Sequence, residues 1–226
     1  MRHVSILLAF AALALGSCKG SDTGNTARDD GGATDDSLAG SGGADIALVT
    51  GSDGSTVEID RSARAVQAAR DRAAEMVGGS GSLKPIPEAR TITARDGATQ
   101  AMRRSALAAV RPGGGNCADR GDYTTSWAAR LPGAFPVYPR AHTLEAAGTD
   151  EGACALRVVS FVTPVPLGEV LSLYHTRALA DGFETEHVEV ANESVLSATK
   201  GEAALIVYGR RTDAGVTEID LITSIP

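Results

Sequence analysis

Few residues in this chain have both the type and the spacing for chemistry. Past residue 20 the histidines are His142, His175 and His187. They are scattered, and no two stand at a metal-ligand spacing, so no metal or other cofactor is expected. Glu218 and Asp220 alternate on one strand face. Two carboxylates so placed can divide acid and base roles, but such a pair more often decorates a solvated sheet. Serines are plentiful, yet no Gly-x-Ser-x-Gly elbow presents one as a nucleophile. Gly78-Gly79-Ser80-Gly81 lacks the following lysine of a phosphate loop. Arg120-Gly121-Asp122 spells an adhesion tripeptide, which is read here as coincidence. Trp127, Phe135, Tyr138 and Phe161 are large enough to line a ligand groove or to fill a core. Trp127, Phe135 and Tyr138 are the groove candidates, and core packing is the competing reading. No catalytic residue is assigned, and the chain is read as a non-enzyme.

The chain has 226 residues, 43% hydrophobic but only 4% aromatic, with 26 glycines and a net charge of −7. That length allows one or two domains. The acidic balance argues against nucleic acid as a partner. The charge is segregated: residues 19–60 balance at −7, residues 61–111 at +6 and residues 112–226 at −7. A basic stretch near a bilayer attracts anionic headgroups. The plainer reading is a solvated helix face, or docking on the acidic C-terminal part.

The N-terminus has the form of an export signal. Arg2 supplies a positive start, and Val4–Leu15 is almost wholly apolar. That run is shorter than the ~20 residues a spanning helix needs. It ends in Leu15-Gly16-Ser17-Cys18, which resembles the lipobox of bacterial lipoproteins. The resemblance implies removal of residues 1–17 and lipidation of Cys18, so that the membrane becomes a partner through the N-terminal lipid. Two or three acyl chains hold a protein stably where one does not. Lys19, in place of the Asp of the inner-membrane retention rule, leans toward the outer membrane. The expected location is the cell envelope, facing the periplasm.

With Cys18 taken by lipid, Cys117 and Cys154 remain. In an oxidising compartment one disulfide is the natural inference. A reactive thiol or a metal site is the competing reading, and no Cys-x-x-Cys supports it.

Residues 18–43 are Gly, Ser, Thr, Asp and Ala with little that is large. They read as a flexible tether. Residues 44–112 read as an Ala- and Arg-rich, partly helical segment of uncertain order. Ile46–Val49 and Val57–Ile59 suggest a hairpin around Ser52-Asp53-Gly54-Ser55. Val66, Ala69, Ala73, Met76 and Val77 suggest a helix stopped at Gly78-Gly79. A second helix fits 97–110, with Asp96 as N-cap and Met102, Leu107 and Val110 as its apolar positions.

Residues 113–226 read as the folded domain. Leu131–Pro139 is an extended, proline-punctuated lead-in. Strands are expected at Thr143–Gly148, Leu156–Val162, Thr185–Val190, Ser194–Ala198, Ala203–Tyr208 and Val216–Thr223. Leu167, Val170, Leu171, Tyr174 and Ala178 recur at helical spacing, and Gly182 stops that helix. The expected fold is α+β: an antiparallel sheet of five to six strands packed on one long helix, preceded by a disordered tether and a weakly helical segment. Leu131–Pro139, Val159-Ser160-Phe161, Thr163-Pro164, Tyr174, Gly182-Phe183 and Gly215–Leu221 make this part similar to small domains of uncharacterised bacterial lipoproteins. That resemblance implies compartment and fold and no activity. The expected role is therefore binding or assembly with an envelope protein partner. The alternative is a periplasmic module for a small glycan or lipid ligand.

Overall fold

Short runs rich in apolar and β-branched residues from 142 onward favour pleated strands, and the central ones are buried on both faces. The computed structural model describes residues 45–51, 53–92, 117–190 and 192–225. These lie in one of the two units into which the chain divides, Leu38–Pro226. The proposed signal, the lipid site Cys18 and the tether to residue 43 lie outside the described residues, as does the helix expected at 97–110.

The elements are β1 (Ile46–Thr50), β2 (Thr56–Asp60), α1 (Ala63–Glu75), β3 (Arg90–Ile92), β4 (Asp122–Tyr123), β5 (His142–Thr149) and β6 (Leu156–Thr163). They continue with α2 (Leu167–Ala180), β7 (Glu184–Val190), β8 (Glu193–Lys200), β9 (Ala203–Arg211) and β10 (Thr217–Ser224). Strands β1 and β2 form a separate two-stranded sheet. The other eight form one sheet in the order β3-β7-β8-β9-β10-β6-β5-β4. Every pairing in it is antiparallel except β3 with β7, which is parallel.

This corrects the expected fold class. The molecule is mostly β, with a mixed eight-stranded sheet and a second small sheet, and it is not an antiparallel sheet of five to six strands on one long helix. The reason lies at the edges and in the cover. Arg90–Ile92 and Asp122–Tyr123 are too short and too polar to show a strand period, yet they pair along β7 and β5. Helix α2 has 14 residues and shares the covering of its face with α1 and with the segments around Leu83 and Phe135.

The main core lies between these elements and the sheet. Phe161, Leu171, Tyr174, Leu196, Leu205, Ile219 and Leu221 are all fully buried there. Tyr174 Oη donates to the Pro136 carbonyl at 2.8 Å, tying the proline-rich segment to α2. The Arg177 guanidinium donates to the carbonyls of Ala134, Gly133 and Met76, so one cation fastens that segment and the end of α1 together. Gly209 faces α2, and a Cβ there would lie 2.3 Å from Leu167 Cδ1, so a larger residue would have to displace that side chain. Gly182, at φ 79°, turns the chain out of α2 into β7.

The expected hairpin and first helix both form. Ala47 and Ile59 of the hairpin pack with Val162 and Val216. Ala69 and Ala73 of α1 are buried in the main core, with Val66 and Val77 beside them.

Candidate functional site

Among the described residues, one groove with an apolar floor lies between the two helices. Helix α1, the segment Ser80–Ile86 and the first turns of α2 enclose about 510 Å³. Ala74, Leu83, Pro85, Ile86 and Tyr138 supply the floor, while Gln67, Arg70, Asp71, Ser80, Glu169 and Ser172 supply polar groups.

Local chemistry explains how each wall is held. Ser62 caps α1, its hydroxyl accepting from Ala65 N at 3.2 Å. The Ser80–Ile86 wall is bound to α2 on both sides of one residue: Ser172 Oγ donates to the Lys84 carbonyl at 2.5 Å, and Lys84 N donates to Thr176 Oγ1 at 2.8 Å. His187 Nδ1 donates to the Pro87 carbonyl at 3.0 Å and fixes the segment's far end. Arg70 reaches across to α2 in a fork, with Nε and Nη2 each 2.6 Å from a Glu169 carboxylate oxygen. Planar two-point pairing of this kind fixes orientation as well as charge.

Two titrations in the groove are shifted, both away from neutrality. Burial pushes the Tyr138 phenol up to about 12, with the Glu169 carboxylate adding and Arg70 opposing. The hydrogen bond to Glu169 raises Arg70 further. Tyr138 therefore stays a neutral phenol and Arg70 a cation at any physiological pH. With Arg70, Asp71 and Glu169 as its charged members, the groove carries a small negative balance.

The sequence-derived candidates do not converge. Tyr138 lines the groove, 3% exposed. Phe135 is fully buried in the core, edge-to-face with Phe183 at 5.4 Å between centroids. Trp127 belongs to a different cluster, with Ala146 and Val159. The Arg130 and Arg157 guanidinium carbons lie 4.7 and 4.6 Å from its ring centroid, and its Nε1 donates to Asp122 at 2.9 Å. Arg70 and Glu169 were not singled out in the sequence, because they stand 99 positions apart and only the fold makes them neighbours.

The remaining candidates are engaged structurally. Cys117 and Cys154 form a disulfide with a Cα–Cα distance of 5.6 Å, joining the turn before β4 to the β5–β6 connection. Glu218 accepts from Arg210 at 2.6 Å, and Asp220 accepts from Ser160 Oγ at 2.6 Å. His175 Nδ1 is hydrogen-bonded to Thr185 Oγ1 at 3.0 Å. Among the described residues no group of three His, Cys, Asp or Glu is placed to hold a metal ion. Nor is any described helix long and apolar enough to cross a membrane.

Comparison with family models, with curated proteins and with solved structures finds no significant match.

Proposed function

We propose that the chain is a lipid-tethered, non-catalytic binding module of the cell envelope, and that the groove between α1 and α2 takes a short uncharged glycan. The observation that carries this reading is the groove's composition. An aliphatic floor suits the C–H face of a sugar ring, and amide, hydroxyl and carboxylate groups converge on its hydroxyls. Its small negative balance disfavours phosphates and other anions. The Arg70–Glu169 pair is already formed without a ligand, so binding would need no charge to be desolvated unpaired.

The test is titration of the full mature chain with N-acetylglucosamine tetramer, followed by backbone amide NMR. Shifts confined to residues 67–74, 80–86 and 168–172, and lost in Ala74→Trp, are the expected result. No shifts at millimolar tetramer would overturn the glycan reading. Lipid anchoring has its own test: Cys18→Ala moves the protein from the membrane to the soluble fraction if Cys18 carries the anchor.

A second reading, docking to an envelope protein, has a separate observation behind it. Ile46 and Leu48 project from one face of β1, 37% and 62% exposed. A photo-crosslinker at Leu48 in intact cells would capture that protein as one discrete band.

A further inference from the structure

Two tyrosines of the main core lie close to the proline-rich segment, and their hydroxyls are treated differently. Tyr174 is fully buried, and its Oη donates to the Pro136 carbonyl at 2.8 Å. Tyr138 is only 3% exposed, yet among the described residues nothing hydrogen-bonds its hydroxyl. A buried hydroxyl ordinarily has a partner. The Tyr138 oxygen is not sealed in the interior. It belongs to a residue that lines the groove, and the Arg70 and Glu169 charges both act on it.

The surroundings decide what this hydroxyl can meet. Burial holds the phenol in its protonated form at physiological pH, so it has one hydrogen bond to donate. Beside it, Ala74, Leu83, Pro85 and Ile86 offer only apolar side chains. A ligand group that reaches this floor must present an acceptor and be apolar otherwise. A carboxylate would lose its hydration there without gaining a free cation, because Arg70 is already held by Glu169 in a fork. A sugar hydroxyl can accept from the phenol, but it brings an O–H of its own that the aliphatic side chains cannot accept. An acetamido group fits on every side. Its carbonyl accepts from the phenol, and its methyl group meets the aliphatic side chains. Its N–H is left for Glu169 or Ser172, whose oxygens keep lone pairs beyond their bonds to Arg70 and to the Lys84 carbonyl.

We infer that Tyr138 is the specificity-determining residue of the groove, its hydroxyl donating to the carbonyl of an acetamido group, so that the glycan taken is built from N-acetylated hexosamine. The inference rests on the glycan reading and narrows it. A site with a donor set at its floor discriminates against an analogue that leaves the donor unpaired.

The test compares two uncharged β-1,4-linked tetramers, of N-acetylglucosamine and of glucose, by isothermal titration calorimetry on the full mature chain. They differ at the acetamido position. The N-acetylated tetramer should bind roughly tenfold or more tightly. Tyr138→Phe should bring the two affinities together by weakening the N-acetylated tetramer alone. That variant removes only an unpartnered hydroxyl, so its melting temperature should match that of the unaltered chain. Equal affinity for both tetramers in the unaltered chain would overturn the inference and leave the glycan reading standing. So would a preference that survives Tyr138→Phe undiminished. Binding of neither tetramer would overturn both.

Discussion

Gly148→Ala is the sharpest test of how the packing is understood. Gly148 lies on β5 under the Trp127 ring. A Cβ there would sit 2.7 Å from Trp127 Cδ2, 2.8 Å from Cε3 and 2.8 Å from the Leu156 carbonyl oxygen. The carbonyl belongs to the β5–β6 ladder and cannot yield without disturbing it. The indole is gripped on three counts: Arg130 and Arg157 flank the ring, and Asp122 accepts from Nε1. Forcing a methyl group into such a site costs about 2 kcal/mol of overpacking. If the ring swings out, its hydrogen bond to Asp122 is lost for about 1 kcal/mol more. The expected destabilisation is therefore about 3 kcal/mol, a drop of roughly 6–12 °C in Tm for a chain of this size.

Urea unfolding with the disulfide intact measures that cost. Trp127 is the only tryptophan, so its emission reports the ring's position directly and should shift to the red. A double-mutant cycle separates the two obstacles. In a Trp127→Ala background the ring contact is gone and only the Leu156 carbonyl remains, so Gly148→Ala should cost at least 1 kcal/mol less there. A cost under about 0.5 kcal/mol in the single variant with unchanged emission would refute the reasoning. So would an equal cost in both backgrounds, which would acquit the tryptophan.

Three other outcomes are expected. Replacing Cys117 and Cys154 together by serine should cost about 4 kcal/mol by loop-closure entropy, read as a lower urea midpoint that no reductant lowers further. Tyr174→Phe removes a buried hydroxyl and leaves the Pro136 carbonyl without its donor, so differential scanning calorimetry should show a loss of about 1–2 kcal/mol. The third concerns His175, whose pKa is lowered by burial, with the Lys84 charge adding. Below 6.5 the unfolded chain takes up a proton that the folded imidazole resists, so this contribution to stability is present above 6.5 and lost as pH falls. His175→Asn should flatten the slope of stability between pH 7 and pH 5, and an unchanged slope would count against the assignment.

The sequence displayed what is periodic and hid what is not. Strands β5 to β10 and helix α2 all carry an apolar period long enough to read, and each forms within three residues of its expected bounds. The disulfide followed from compartment and elimination. The edge strands β3 and β4 were hidden because two or three residues cannot show a period of two. Their absence from the reading made the fold class wrong. The groove was hidden for a related reason. Arg70 and Glu169 are ordinary helix-surface residues until α1 lies beside α2, and no spacing rule links positions 99 apart. Trp127, Phe135 and Tyr138 are close in sequence, but the chain between them turns and sends Trp127 to one cluster and Phe135 and Tyr138 to another.

The same geometry explains the segregated charge. The basic stretch 61–111 is partly spent on the acidic remainder of the chain: Arg70 pairs with Glu169, Arg90 pairs with Glu186, and Arg61 donates to the Ala214 carbonyl. These ion pairs are half exposed, with side-chain exposures from 39% to 64%. At that exposure each is worth at most about 1 kcal/mol. The apolar side chains beside them, Val66, Val77, Leu83 and Ile86, each contribute up to about 1.5 kcal/mol when partly buried. Burial therefore holds α1 and the Ser80–Ile86 wall in place, and charge selects where they land. A wholly apolar α1 would bind as well but slide. The forked Arg70–Glu169 pair fixes the offset of the two helices, and that offset is what leaves a groove between them.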